Sequence, residues 1–424
     1  MNNMIYGVTD KPKKISEWIL YAMQQVLSVF VATVLIANIC GTPVDACLIG
    51  ACLGTLLYQI ITKFRSPMFI SSCGATVSAV IGALAIGESK NYLLVAIGGL
   101  VILAIYGIVA LIIKKCGIKA LTKVLPPIII GPITMVIGLN LATFIPTYVQ
   151  VNGQPSAIGV GVALVTMIVI ALTSHYFKGF WKTIPFLIGL VVGYCISLIL
   201  TLTNIAPLID LSLFNNMKII TLPDFTFKYW NFNINFGEII QVIILFLPVA
   251  LAAVCEHWAD HKTLSNIIGV DLTNEPGLHR TLLGDGAASF LGTVVCGLPN
   301  TSYGESIATT GFSKVASVKV VSLAAGILGL LAFLEPVQIF INSIPACVFG
   351  GCAMILYGYI AASGLKTLIN SKADLEDNKN LIIVSVVLTI GVSGIWFLHQ
   401  SFAGVSLAMI TGIILNLILR PQKS

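Results

Sequence analysis

Charge is what this chain has least of. Only 9% of its 424 residues are Asp, Glu, Lys or Arg, and 57% are hydrophobic, whereas a water-soluble domain carries about 25% charged residues. A chain this long and this poor in charge cannot cover a water-facing surface, which excludes an ordinary soluble fold; lipid has to cover it instead. The mean hydropathy of +0.99 agrees. Paired cysteines are missing too. The ten Cys residues are scattered, none forms a CxxC pair, and most sit inside apolar runs, so they read as small packing residues rather than a disulfide framework or a metal site. A cleavable signal pattern is also lacking. Residues 1–14 are polar and carry Lys11, Lys13 and Lys14, and the apolar run from Trp18 to Ala37 is long enough to span a bilayer.

What the chain does have is long apolar runs, at 18–38, 43–62, 92–113, 124–146, 157–177, 183–204, 238–259, 281–297, 315–334, 339–363, 380–398 and 402–419. Two shorter stretches, 67–80 and 299–312, are rich in Gly and Ser and fall short of the ~20 residues a spanning helix needs. Counted as broken crossings, they bring the total to about fourteen spans, with both termini on one side. Charge supports that count. Of the 23 Lys and Arg, all but Lys90, Lys218 and Lys228 then fall on a single side, which the positive-inside rule makes cytoplasmic. The net charge of +6 is therefore a topology signal and not a nucleic-acid surface. The expected organisation is a multi-pass cell-membrane protein. It has cytoplasmic tails at 1–16 and 420–424, a first repeat at 17–204, an external or interfacial connector at 205–237 and a second repeat at 238–419. Phe225, Phe227, Tyr229, Trp230 and Phe232 in the connector read as interface anchors.

The two halves resemble each other. Pro67 precedes SSCGATVSA and Pro299 precedes NTSYGESIATTG; Gln25 and Glu256 keep the same separation to within one residue. The spacing Pro126, Gly131, Met135 recurs as Pro345, Gly350, Met354. Successive repeats of about seven crossings each must be inverted relative to one another, an architecture common among secondary transporters.

Broken elements at corresponding positions of inverted repeats mark a transporter's binding site. Free N–H groups at their half-helix N-termini can bind carbonyl oxygens of a polar substrate, and Gly74 and Gly304 permit close backbone approach. Ionisable residues inside spans are usually functional. Glu256, in LPVALAAVCEHWADH, and Glu305, in TSYGES, could accept N–H donors of a planar heterocycle, and one of them could carry a proton. The plain alternative for each is a buried carboxylate that ties helices together. His257 and His261 share a helix face at i, i+4, but EHxxDH matches neither HExxH nor HxxEH, so no metal is expected. The segment reads as a polar helix end facing the cytoplasm, with His257, Asp260 or His261 relaying protons to Glu256. Tyr303 and Tyr357 fall in or near the expected cavity, against the alternative of packed tyrosines with satisfied hydroxyls. Gln25, in a polar pair with Gln24, is an accessory candidate or an interhelical hydrogen-bonding residue.

Beyond these patterns, EPGLHRTLLGDGAASFLGTVVCGLPNTSYGESIATTGFSKV, PVALAAVCEHWADHKTLSNIIG, SSCGATVSA and FGGCAMILYGYIAASGLK resemble the xanthine/uracil permease family, also called nucleobase–ascorbate transporters. The resemblance covers essentially the whole chain. It implies an all-α fold of two inverted seven-segment repeats, with spans one to four and eight to eleven forming a core domain and the rest a gate. It implies proton-coupled nucleobase import by an elevator-type movement, with the proton as coupling ion, no other cofactor, and pairing as a homodimer. Glu256 and Glu305 match the carboxylates that contact the base, with backbone near Ser72, Cys73 and Gly304 completing the site and Tyr303 beside it; Ser306 is accessory. Relatives that carry purines usually have Gln at the Glu305 position, so Glu305 favours a pyrimidine, uracil, over xanthine or urate. The chain departs from the family at Gln24-Gln25, where Gln-His is common, at Cys73, where Phe is common, at Ser306, Ala308 and Ser313, and at Asp260, where His can stand. An anion exchanger or channel of the same fold would not need two carboxylates at its site, and the reading is of a transporter, not an enzyme.

Overall fold

The computed structural model describes residues 4–86, 90–117, 126–151, 153–215, 217–397 and 399–419. Lys119, Lys123, Arg420 and Lys423 of the charge argument, and the tail 420–424, lie outside the described residues. The first half contains α1 (Ile15–Cys40), α2 (Val44–Ile61), strand β1 (Ile70–Ser72), α3 (Val77–Leu84), α4 (Tyr92–Cys116), α5 (Pro127–Ala142), α6 (Ala157–Tyr176) and α7 (Pro185–Leu202). The second contains α8 (Phe236–Ile268), α9 (Leu278–Cys296), strand β2 (Asn300–Ser302), α10 (Gly304–Ser313), α11 (Val318–Leu331), α12 (Ala346–Asn370), α13 (Asn378–Ser393) and α14 (Val405–Ile418). Among the described residues eight helices are long and apolar enough to cross a membrane: α1, α2, α4, α5 with its short continuation to Tyr148, α6, α7, α8 and α12.

Local chemistry sets the ends. Gly41 closes α1 at φ 63°, its amide turning back to the carbonyls of Ala37 and Asn38. Asn235 and Glu238 form a reciprocal capping box at the start of α8, which runs past the apolar stretch 238–259 to Gly269. The expected span 339–363 is divided. A short helix, Glu335–Asn342, ends before Pro345, and α12 starts anew after it, because proline supplies no amide and its ring blocks a continuous helix.

Helix packing keeps its pattern when the halves are exchanged. α1 packs on α11 as α8 packs on α4; α1 meets α10 as α8 meets α3; α2 meets α11 as α9 meets α4. These elements form one body. In the other, α5 lies along α12, α6 packs on α12 as α13 packs on α5, and α6 meets α7 as α13 meets α14. These are the core and gate that the resemblance implies. Where the repeats meet, β1 and β2 pair antiparallel, Ile70 opposite Ser302 and Ser72 opposite Asn300, as inverted copies require. Asn300 reaches from β2 to the carbonyls of Gly50 (2.9 Å) and Ala288 (3.2 Å). A Cβ on Gly54 would stand 2.5 Å from its Nδ2, so this crossing needs glycine.

The N-terminal segment lies against the α10–α11 loop. Ile5 N–H donates to Lys314 O at 2.8 Å and Ala316 N–H to Tyr6 O at 2.9 Å, putting this tail and that loop on one side, as the charge pattern demands. The connector is fastened to the core. Asp224 N–H donates to Asp45 Oδ2 at 2.8 Å, and Asn91 and Asn231 exchange two hydrogen bonds of 2.8 and 3.1 Å.

Candidate functional site

Extended backbone deep in a membrane protein must be paired inside the protein, since lipid offers no partners. β1 and β2 satisfy each other, and Cys73 N–H continues the ladder to Pro299 O at 2.8 Å. Beyond the strands the chain becomes helical on both sides, through the tight turn Gly74–Thr76 into α3 and at Gly304 into α10. Both helical starts face one cavity of about 360 Å³, lined by Gly74, Ala75, Tyr303, Gly304 and Glu305. α8 adds Glu256 and Asp260 one helical turn apart, and β2 adds Thr301 and Ser302. The opposite wall belongs to the gate: Phe186 of α7, Leu356, Tyr359, Ile360 and Ser363 of α12, and Lys182 and Thr183 of the turn before α7. A larger cleft of about 570 Å³ lies at the far end of α1, between Asp45, Lys90, Asp224 and Gln338. Tyr229 of the connector and Lys90 line it, but none of the substrate-site or proton-coupling candidates does.

Glu256, Asp260, Tyr303, Gly304 and Glu305 are thus brought together. Ser302 Oγ donates to Asp260 Oδ2 at 2.7 Å. The other candidates stand behind the wall. Ser72 is fully buried in β1 with Oγ unpartnered. The Cys73 amide, expected to help complete the site, is engaged by Pro299; Gly74 and Ala75 take that place on the wall. Gln25 ties α1 to α10, its Nε2 3.1 Å from Thr310 Oγ1, and Ser306 is buried beside it with Oγ unpartnered. Tyr357 is 1% exposed and turned away from the cavity; Tyr359 lines it. The reason is helical phase, because two residues along α12 rotate the side chain about 200°.

The expectation of a cytoplasm-facing histidine end is not met. His257 and His261 are both 0% exposed, because α8 extends past them and α9 covers that face. His257 Nδ1 lies 2.6 Å from Asp285 Oδ2, and Nε2 lies 3.1 Å from Thr281 Oγ1. His261 Nδ1 donates to His257 O at 2.9 Å, and its Nε2 is 2.7 Å from the Tyr58 hydroxyl. Thr301, on the cavity wall, donates to Asp285 Oδ2 at 3.3 Å, linking this buried network to the site. Asp285 was not singled out from the sequence, although an acidic residue inside an apolar run is the signal that picked out Glu256. In the sequence Lys182 reads only as a topology charge.

A cavity at the junction of two exchange-related repeats, walled by the core on one side and the gate on the other, defines a polytopic membrane transporter. The chain belongs to the xanthine/uracil permeases: the model described as "Permease family" matches residues 16–399. It is 36% identical over 431 residues to the uracil permease of Bacillus caldolyticus, covering 100% of this chain and 97% of that one. The uracil permease of Escherichia coli K12 is 33% identical over 436 residues, again covering 100% and 97%. Among solved structures, the transmembrane domain of the cyanobacterial bicarbonate transporter BicA matches with a TM-score of 0.63 at 14% identity, covering 96% of this chain and 98% of that chain. SLC26A9 matches with a TM-score of 0.66 at 14% identity, covering 96% and 66%. At that identity the likeness is one of fold.

Proposed function

We propose that this protein imports uracil together with protons across the cell membrane. Two carboxylates, Glu256 from α8 and Glu305 from α10, share one cavity with two helical starts, and that observation carries the reading. Uracil presents N–H donors that carboxylates accept and carbonyl oxygens that first-turn amides can bind. The full-length likeness to proteins named uracil permease supports the same substrate. Glu256 and Glu305 hold the base, Tyr303 and Gly304 flank it, and the proton rides on the carboxylates facing the cavity, Glu256 or Asp260. The His257–Asp285 pair fixes α8 against α9 behind them, with His261 extending the network to Tyr58. The topology is that of fourteen crossings, repeats at 17–204 and 238–419 joined by the connector 205–237, with both termini cytoplasmic. Lys182, from a turn that carries the basic loop charges, lines the cavity and supports reading this conformer as one that faces the cytoplasm; the core moves against the gate in transport, and homodimer formation belongs to the same reading.

The test is uptake of radiolabelled uracil into proteoliposomes under an imposed inward proton gradient, with excess unlabelled xanthine as competitor. Uptake that requires the gradient and ignores xanthine is the expected result. Gradient-driven uptake that xanthine abolishes would move the substrate to the purines, and gradient-independent uptake would remove the proton.

A further inference from the structure

The cavity has two unlike ends. At the start of α10 stand Tyr303, Gly304 and Glu305, and α8, which packs on α10, brings Glu256 and Asp260. At the start of α3 the wall is apolar. There α1 contributes Ala32 and Ile36, one helical turn apart, and α12 contributes Leu356 and Ile360 with the same spacing. Two of these side chains close on the chain at Gly74: a Cβ added there would lie 3.5 Å from Ile360 Cδ1 and 3.8 Å from Ile36 Cδ1. At Gly304 no described atom lies within 4 Å of the same position. One helical start is thus roofed by branched side chains, and the other is bare. The roof is shared between the two bodies. Ile36, from the core, is 2% exposed and part of the apolar interior. Ile360, from the gate, is only partly buried and packs against that interior from the cavity side.

A pyrimidine base is unlike at its two edges in the same way. In uracil the two N–H groups and two carbonyls form a polar edge, while C5 and C6 carry only hydrogen. Setting the polar edge against apolar carbons would forfeit its hydrogen bonds. A base that gives that edge to the carboxylates and amide at the α10 end therefore turns C5 and C6 toward the roof. We propose that Ile360 is a specificity-determining residue: its Cδ1 closes the space beyond C5 of the bound base, so that the site takes uracil and disfavours uracils with a larger group on C5, thymine first. The inference rests on the uracil reading above. A methyl with no room must displace a branched side chain that Ile36 and the α3 start back from the other side, and overpacking of this kind is unfavourable. Discrimination then comes from a clash with the wrong base rather than from an added contact with the right one.

The experiment is equilibrium binding to the full chain in lipid nanodiscs, with labelled uracil displaced by unlabelled uracil, thymine or 3-methyluracil. The unaltered protein is expected to prefer uracil to thymine. Ile360→Val, which lacks only the Cδ1 that reaches Gly74, and Ile360→Ala should both narrow that preference, by about tenfold for alanine, the low end of what one methyl is worth in a fitted pocket. 3-Methyluracil, altered on the polar edge, should stay excluded from all three proteins. Ile360→Val removes one methyl from a partly buried residue, so the ratio can be read even if the alanine variant does not fold. Three results would overturn the proposal: an unaltered protein that binds thymine as tightly as uracil, an unchanged ratio in the variants, or an equal gain for thymine and 3-methyluracil, which is the mark of a generally loosened site. Failure of the unaltered protein to bind uracil at all would overturn the uracil reading itself, and is told apart from the other three because no ratio can then be measured.

Discussion

The Ser302 hydroxyl donates to Asp260 at 2.7 Å, while the neighbouring Thr301 donates to Asp285 at 3.3 Å. Two successive residues of β2 thus hold a carboxylate of α8 at the cavity and a carboxylate of α9 behind it. Removing the Ser302 hydroxyl takes from the part-buried Asp260 carboxylate its one hydrogen bond among the described residues, a loss of about 0.5–1.5 kcal/mol. Ser302→Ala is expected to lower the midpoint of thermal unfolding in detergent, and Ser302→Thr, which keeps the hydroxyl, to stay close to wild type. Equal midpoints for Ser302→Ala and wild type would show that the bond contributes nothing.

Glu256 and Glu305 approach the cavity from different elements, one mid-helix on α8 and one in the first turn of α10. A hydrogen bond to a charged group is worth about 1.5–3 kcal/mol, or roughly 10- to 100-fold in affinity. Glu256→Gln and Glu305→Gln are each expected to weaken uracil binding by that order in equilibrium binding to purified protein. Glu305→Gln, which installs the residue usual in purine carriers of the family, should lose uracil before xanthine. Unchanged preference between the two bases would remove Glu305 from the selection of substrate.

His257 and Asp285 are both inaccessible to solvent, and their 2.6 Å contact joins α8 to α9. Deleting one partner leaves the other buried and unpaired, which typically costs about 3–5 kcal/mol, whereas replacing both by apolar residues is often close to neutral. His257→Leu and Asp285→Leu singly are therefore expected to reduce thermal stability strongly, and the double replacement to recover most of it. A double variant as unstable as the sum of the singles would mean that the pair is not a coupled unit.

Much of this is legible in the sequence itself. Apolar runs fix the spans, because bilayer thickness sets their length, and Pro67 and Pro299 with their Gly- and Ser-rich sequels mark the broken elements. Glu256 and Glu305 stand out because charge is rare here. What could not be read is orientation about a helix axis. His257 and His261 look like a solvated end until α9 is seen to cover them; Tyr357 and Tyr359 are indistinguishable until α12 has a phase. The engagement of the Cys73 amide depends on pairing between residues far apart in the chain. Lys182 is one basic residue among many until α6 and α10 bring its turn to the cavity.

The last prediction concerns the contact between α4 and α9, which brings together the two repeats inside the core. A Cβ on Gly99 would lie 2.0 Å from Thr293 Oγ1 and 2.9 Å from its Cβ, closer than any real packing allows. Gly99→Ala must push the helices apart or force Thr293 off its rotamer, and overpacking of this kind costs about 1–3 kcal/mol. Gly326→Ala, in the interior of α11, provides the control: no atom lies within 4 Å of its Cβ position, and alanine favours a helix over glycine by up to about 1 kcal/mol. Thermal unfolding in detergent should therefore drop for Gly99→Ala and hold or rise for Gly326→Ala. Adding Thr293→Ala to Gly99→Ala removes the nearest oxygen but leaves the 2.9 Å Cβ contact, so recovery should be partial. Full recovery would mean that the Thr293 hydroxyl and methyl together set the spacing, and no recovery that the contact with its Cβ does.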